Sequence, residues 1–459
     1  MTDLSSPAVD RVPAVAVVGA GPSGLFAAQA LVAQSEQPVT VDVYDRLPTP
    51  YGLLRYGVAP DHTSIKSVAT ALARTFESPQ VSFRGMVELG RDVTHAELLT
   101  AYDAVIYAVG ASEDLQLGVP GELLPGSRSA REFVAWYGGH PDARQQSLEG
   151  VDSVATVGVG NVAVDVARVL AKDPTLLDST DMPQPVLDEL HRHEVKDVWV
   201  VGRRGPHHAS FTTVELRELL NTPGLEVSVS EGAFDGIDEH ELDRRTKANV
   251  ALLQEVAARP PIDDPRAHLH FLFWRRPVRL EGDGAVERIV LEHTALDEDG
   301  AVIGTGATDS LDVQLVLRAI GYRSVPLPGV PFDERRGIVP SAEGRVTALD
   351  GSARPGEYVV GWIKRGPIGV IGTNKSDASQ TVRHLLEDLA SGVLPPPSAS
   401  REQLTALLAE RGIVATTFED WQAIDAAEIE RGGRAGRSRT KVEAWSQLLE
   451  LVGRAPDGG

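Results

Sequence analysis

A chain of 459 residues is long enough for two or three domains, and its 42% hydrophobic content is ordinary for a globular protein. A formal net charge of −21 argues against nucleic acid and anionic membrane as main partners, because both repel an acidic protein. With 0 Cys, the chain itself supplies no disulfide, no thiolate-ligated iron–sulfur cluster and no redox-active dithiol.

No segment has the uninterrupted apolar length of a bilayer span, so no membrane insertion is expected. Ala14 to Leu31 has the look of a signal-peptide core but lacks a basic leader, and a cytoplasmic protein is the simplest expectation. No metal site is expected.

Met1 to Pro13 is short, polar and proline-bearing and predicts a loose start. Val15 to Val18 read as a buried parallel strand that breaks into Gly19-Ala20-Gly21-Pro22-Ser23-Gly24, and Leu25 to Leu31 read as a helix facing it. In such a turn the first glycine permits a tight bend. The second lets backbone approach a pyrophosphate, and the third lets helix pack closely on strand. The helix N-terminus then offers free N–H groups and a positive dipole end to phosphate. A second strand, Val39 to Tyr44, ends in Asp45, where an acid can hold a ribose diol.

The loop Arg46 to His62 is rich in proline and glycine, and a long loop leaving a nucleotide-binding strand usually touches or covers the ligand. Ser64 to Glu77 predicts a helix, and Val81 to Leu89 a strand. Tyr102 to Gly110 predicts a buried strand ending in a turn.

After a linker around Gly118 to Gly126, a second unit begins at Ser153. Its turn is Gly158-x-Gly160-x-x-Ala163, and its second strand, Lys196 to Gly202, ends in Arg203-Arg204. The gap between turn and strand exceeds the usual spacing of about 20 residues. We assign the excess to an insertion, Lys172 to Val195, read as surface structure from its Asp-Pro and Met-Pro-Gln-Pro steps. Two guanidinium groups where the first unit has Asp45 suit a 2′-phosphate, hence NADP rather than NAD; a solvated basic pair is the alternative. One acid-ended and one arginine-ended unit together imply FAD plus NADPH, with the flavin supplying the redox chemistry.

His268 to Glu292 and Leu311 to Gly321 predict further strands of the second domain. Val316 to Tyr322 echoes Val105 to Gly110, so the two chain crossings between domains are expected to be built alike. Glu357 to Trp362 predicts a strand of the first domain, feeding the turn Gly366 to Ile371 and a helix from Asp377 to Ser391. A helix N-terminus at that turn suits an anionic reduced flavin, and Trp362 is either a neighbour of the cofactors or core packing. Arg401 to Val452 predicts helices with an arginine-rich break at Arg431 to Arg439.

Five stretches, Gly19 to Gly24, Tyr51 to His62, Gly160 to Asp165, Val201 to Pro206 and Gly361 to Pro367, closely resemble adrenodoxin reductase and its bacterial NADPH-ferredoxin reductase relatives. The resemblance runs from Ala14 to about Leu389 and into the C-terminal helices. It implies an α/β fold of two Rossmann-like dinucleotide-binding domains, three-layered and glutathione-reductase-like. The FAD domain is then discontinuous, residues 1–110 and 326–459, around an NADPH domain of residues 111–325. FAD is implied near Ala20, Gly21, Asp45, Leu53, Val87, Trp362 and Gly369, Val370 and Ile371. NADPH (or NADP+) is implied at Asn161, Val162, Ala163, Val164, Arg203, Arg204, Glu215 and Gly369. His62 and Asp165 are implied near the flavin and nicotinamide, with positioning favoured over proton shuttling because hydride transfer needs no acid or base.

Glu215 and Glu218 sit three apart on a predicted helix and face one side, toward the nicotinamide by resemblance. Three departures stand out. Asp45 replaces a common Glu, Val164 replaces a common Leu, and Ala111 to Leu115 is acidic where some relatives place a basic contact.

Lacking Cys, the chain must pass electrons from flavin directly to a second molecule. By resemblance that molecule is an acidic iron–sulfur ferredoxin, and the implied activity is hydride transfer from NADPH to FAD followed by single-electron transfer. Docking an acidic partner calls for a local basic patch. Arg244 to Lys247, the Arg203/Arg204 neighbourhood, Lys364-Arg365 and Arg431 to Lys441 are the candidates. A diaphorase or quinone reductase and a non-catalytic flavin-binding NADPH sensor are the alternatives. A monomer or weak dimer is expected.

Overall fold

The computed structural model describes residues 11–369 and 371–454. Val370 and most of the expected loose start therefore lie outside the described residues.

Val15, Val17, Ile106 and Val43 are fully buried, as near-continuous apolar runs are in parallel sheets covered on both faces. They belong to a seven-stranded sheet. Its spatial order is Ser341–Ala342, Arg345–Thr347, Ala353–Val359, Ala104–Tyr107, Ala14–Val18, Thr40–Tyr44, Val81–Arg84. Strands from beyond residue 340 thus complete a sheet begun at residue 14. The last strand is shorter than Val81 to Leu89, because Gly85 turns to bridge Thr416 and Met86 adopts φ 59°.

A second sheet is parallel throughout, in the order Ser127–Ser129, Leu315–Arg318, Ser153–Val157, Asp197–Val201, Ala267–Leu272, Leu225–Val229. The expected strands around His268 to Glu292 and Leu311 to Gly321 divide between this sheet and a separate antiparallel one of Arg275–Glu281, Arg288–Leu296 and Val302–Asp312. The segment Lys172 to Val195 departs from the surface reading. Its helix Gln184–Arg192 buries Val186, Leu187 and Leu190 on one face, and Leu177 and Met182 are fully buried beside them. Those apolar positions carried the signal, and the prolines mark only its turns.

The two crossings between sheets touch each other, with Glu113–Asp114 pairing antiparallel with Tyr322–Arg323. The C-terminal helices Phe418–Arg434 and Trp445–Leu451 return to one face of the first sheet through Trp421, Ile424 and Leu448, and Arg401–Glu410 to the other through Leu404 and Leu408.

The arginine-rich run works as a strap. Arg437 donates to Met182 O at 3.1 Å, Lys441 Nζ donates to Gly138 O at 3.1 Å, and Arg439 donates to Glu428 at 2.9 Å. Arg437, Arg439 and Lys441 are therefore unavailable to the docking patch the charge pattern suggested. Glu428, with no exposure, is the strap's anchor: it accepts from Arg55 at 3.0 Å and from Val442 N at 2.9 Å, while Arg55 lies 4.8 Å over the Trp421 ring. Removing one partner of a buried pair strands the other's charge. Glu428→Ala is expected to cost about 3–5 kcal/mol in chemical denaturation of the protein. A loss below about 1 kcal/mol, the size typical of an exposed pair, would contradict the anchoring role.

Candidate functional site

Both glycine turns are shaped by backbone held too close for side chains. A Cβ on Gly19 (φ 110°) would lie 2.5 Å from Ala108 O, and one on Gly24 2.0 Å from Gly19 O. In the second turn a Cβ on Gly158 (φ 135°) would lie 2.3 Å from Ala319 O. At Gly21, by contrast, a Cβ would meet nothing within 4 Å, so the absent side chain leaves open space beside the helix end.

The helices that follow, Pro22–Gln34 and Asn161–Ala171, begin at Gly21 and Gly160 without a side-chain cap and with no acid in the first turn. Helices starting at His95, Ala130, Thr213, Arg401 and Phe418 are all capped by Ser or Thr. Other helices, such as Gln184–Arg192 and Trp445–Leu451, also lack a side-chain cap, but Pro22–Gln34 and Asn161–Ala171 start at a glycine turn on a strand end, where free backbone donors and a positive dipole end suit an anion. Ala163 and Val164 are fully buried, so they reach a ligand only through backbone. Val162 is partly buried, and Asn161 Oδ1 accepts from Thr212 N at 2.8 Å, tying this turn to the helix Thr213–Leu220.

Asp45 accepts from Ala20 N at 2.8 Å and Leu47 N at 3.0 Å, so the acid at the strand end also fixes the turn. The following loop lies on the turn: Tyr51 N donates to Ala20 O at 2.8 Å, and a Cβ on Gly52 would stand 3.0 Å from Gly21 Cα. Leu53 beside it is 40% exposed, whereas Val87 is buried, with its N–H bonded to Asp45 O at 2.9 Å. In the second unit Arg203 is exposed, and Arg204 Nη2 reaches Gly300 O at 3.1 Å.

Between the domains lies an ionic cluster in which His62 and Arg168 are buried and Glu218 is partly exposed. His62, from the first domain, places Nε2 2.8 Å from Asp165 Oδ1 and Nδ1 2.8 Å from Glu218 Oε2, both from the second. Arg168, 2% exposed, sits one helical turn after Asp165. It bonds Asp165 at 2.9 Å, Glu218 at 3.1 Å and Asp61 at 3.1 Å, and Lys172 meets Asp61 at 2.7 Å. Burial draws the His62 pKa down, but Asp165 and then Glu218 outweigh it and leave the imidazole raised above its ordinary 6.5. Burial also opposes the charge of Asp61, and Arg168 and Lys172 prevail, lowering its pKa. Glu215, on the same helix as Glu218, is raised by burial, and its Oε2 is buried with no partner.

Trp362 opens a short turn on the first domain, its ring 5.7 Å from that of Tyr322. Asp377 clips this turn by accepting from Gly361 N and Lys364 Nζ, each at 2.7 Å, and a Cβ on Gly361 would lie 2.3 Å from Ser23 Oγ. Arg365 donates to Ile368 O and Asn374 Oδ1. Lys364 and Arg365 are thus internal braces rather than a docking patch. Gly369 (φ 92°) is exposed, and Ile371 begins the helix Ile371–Ser391, six residues earlier than expected.

The structure therefore gathers His62, Asp165, Glu215 and Glu218, and sets the Gly19–Gly24, Asp45, Trp362 and Gly369 groups together on the first domain. Sequence reasoning missed Asp61, Arg168 and Lys172. The i, i+3 spacing of Asp165 and Arg168 was their one visible signal.

Two parallel-sheet nucleotide folds, one closed by an acid and one by arginines, define a two-dinucleotide oxidoreductase. The pyridine nucleotide-disulphide oxidoreductase family model matches residues 13–202. The NADPH-ferredoxin reductase FprA of Mycobacterium tuberculosis is 43% identical over 455 residues, covering 95% of this chain and 98% of that protein. Human mitochondrial NADPH:adrenodoxin oxidoreductase is 39% identical, over 97% of this chain and 93% of that protein. The solved structure of M. tuberculosis FprA in complex with NADPH superposes with a TM-score of 0.91 at 42% identity, covering 96% and 100% of the two chains. The chain belongs to the NADPH-ferredoxin reductase and adrenodoxin reductase family.

A histidine whose folded pKa is raised adds stability that is fully present below its unfolded value and lost as pH rises through the folded one. His62 should accordingly titrate above 6.5 by NMR of labelled histidine, and Asp165→Asn should move it down. A His62 titrating below 6.5 in the native chain would contradict the ion-pair assignment.

Proposed function

We propose that this chain is an FAD-dependent NADPH:ferredoxin oxidoreductase. The observation that carries the reading is the pair of uncapped helix N-termini, one beside Asp45 and one beside Arg203 and Arg204. FAD suits the first: the space beside Gly21 is open, and the Ala20 to Ser23 turn is already braced by Asp45 and Gly52. NADPH suits the second, where Arg203 is exposed and buried polar atoms of Arg204 and Glu215 lack protein partners. When bound, FAD supplies a ring that accepts a hydride from NADPH and releases electrons singly.

The residues divide the work. Gly19, Gly21 and Gly24 hold the first turn open for pyrophosphate, with Pro22 pre-setting the helix start. Asn161, Val162, Ala163 and Val164 present backbone at the second. His62, Asp165 and Glu218 orient the reacting ends of the cofactors, and the pairing of both imidazole nitrogens with carboxylates fixes the His62 ring in rotation. Trp362, Gly369 and Ile371 border the flavin ring, Leu53 and Val87 its other flank, and Glu215 the nicotinamide side. Residues 1–110 and 326–459 form the FAD domain, and residues 111–325 the NADPH domain.

With Lys364, Arg365 and the C-terminal run engaged internally, the exposed Arg244, Arg245 and Lys247 remain as the dock for an acidic ferredoxin. Cytoplasmic residence as a monomer or weak dimer accompanies this reading. No helix among the described residues is long and apolar enough to cross a membrane.

Arg203→Ala with Arg204→Ala should weaken NADP+ binding roughly 100-fold, the scale of two lost charge-assisted bonds, and leave NAD+ nearly unchanged. Equal weakening of both nucleotides would remove the 2′-phosphate assignment. Reduction of a haem reporter by NADPH should require added ferredoxin. Fast quinone reduction beside failure with every ferredoxin would make the chain a diaphorase instead.

A further inference from the structure

The turn following Arg203 and Arg204 holds two imidazoles that the reading so far leaves unused. Gly205 has no room for a side chain, since a Cβ there would lie 2.6 Å from Trp274 and 2.9 Å from the His207 ring. The chain consequently folds tightly through Pro206–His208, with the His207 and His208 ring centroids 4.0 Å apart and 6.1 and 6.3 Å from that of Trp274. Three polar atoms of this one stretch, Arg204 Nε, His207 Nδ1 and His208 Nδ1, are buried without a hydrogen-bond partner. Native proteins rarely leave such atoms unpaired, so three together beside an exposed arginine point to a bound anion.

The charge around the pair is one-sided. His207 is held below its ordinary value by burial and then by His208, and His208 by burial and then by Arg204. The helix Arg244–Ala257 packs on the turn and buries Thr246, Asn249 and Val250, all uncharged, while Arg244, Arg245 and Lys247 face outward. On the side of the antiparallel sheet, Asp297 is turned into its own loop, accepting from Asp299 N and Ala301 N. Asp309 is taken up by Arg275 and His293. These neighbours supply the imidazoles with no carboxylate, and an anionic ligand is what would satisfy them.

We propose that His207 and His208 complete the 2′-phosphate subsite begun by Arg203 and Arg204, binding NADPH in their protonated form, so that discrimination against NADH sharpens as pH falls. This rests on the NADPH reading above. By linkage, a phosphate that favours charged imidazoles takes up protons when it binds, and protons favour the phosphate in return. The phosphate's own second ionisation, near pH 6, limits the effect to the range above it.

The test measures dissociation constants of NADP+ and NAD+ on the FAD-loaded protein at about pH 8 and about pH 6.5, a window that reaches down to imidazole's ordinary value and stays above the phosphate's second ionisation. The wild type, His207→Gln/His208→Gln and Arg203→Ala/Arg204→Ala are compared. Wild-type selectivity for NADP+ should rise several-fold, up to roughly tenfold per proton per pH unit, with net proton uptake in calorimetry. The His207→Gln/His208→Gln protein should keep its FAD and its NAD+ affinity and lose that rise. A wild-type pH slope retained in this variant overturns the inference. The arginine variant separates the two claims: abolished selectivity there beside an unchanged histidine variant sinks only this inference, whereas intact selectivity there sinks the NADPH reading itself.

Discussion

A strand-end carbonyl pressed against the first glycine of each nucleotide turn sets the geometry on which the site depends. Ala108 O crowds Gly19, and Ala319 O crowds Gly158, at distances that exclude a Cβ in both cases. Each contact drives the turn into the left-handed region that glycine alone enters freely and points the following helix N-terminus at the carboxyl edge of its sheet. Ala108 and Ala319 are also where the chain starts to leave one sheet for the other. The crossings they begin then pair at Glu113–Asp114 and Tyr322–Arg323. One local constraint thus shapes both glycine turns and starts the paired connection between the two sheets.

Electrostatics then distinguishes the sites and holds them together. In an acidic chain of net charge −21, several basic groups are sequestered in ion pairs. Arg168, Lys172 and His62 meet Asp61, Asp165 and Glu218 across the domain boundary. Against burial and the neighbouring Arg168 guanidinium, Asp165 and then Glu218 raise the affinity of His62 for a proton within this network. A second clasp, from Lys441 and Arg437 to Gly138 and Met182, ties the C-terminal strap to the other side of the same boundary. Domain placement and the charge of His62 are in this way parts of one network.

Much of this was legible in the sequence because it is local. Glycine spacing, a strand ending in Asp45 or in Arg203 and Arg204, and apolar runs at parallel-sheet positions each report their own surroundings. Long-range partners were not legible. Arg431 to Lys441 reads as an exposed basic patch in one dimension, and only the fold delivers the buried Glu428 and the carbonyls of Gly138 and Met182 that consume it. Lys172 to Val195 reads as surface because prolines dominate its pattern, while its Val186 and Leu190 are buried in a core assembled from distant segments of the same domain. Asp61 and Arg168 were hidden for the same reason: a cross-domain ion pair leaves no periodicity in either segment.

The central claim is that electrons enter this chain from NADPH at the arginine-ended fold and leave the flavin of the acid-ended fold for an iron–sulfur protein. Anaerobic stopped-flow of the FAD-loaded protein tests it most directly. NADPH should bleach the flavin absorbance far more efficiently than NADH, and added ferredoxin should restore it. A flavin that NADPH fails to bleach, or that NADH bleaches equally well, would contradict the account.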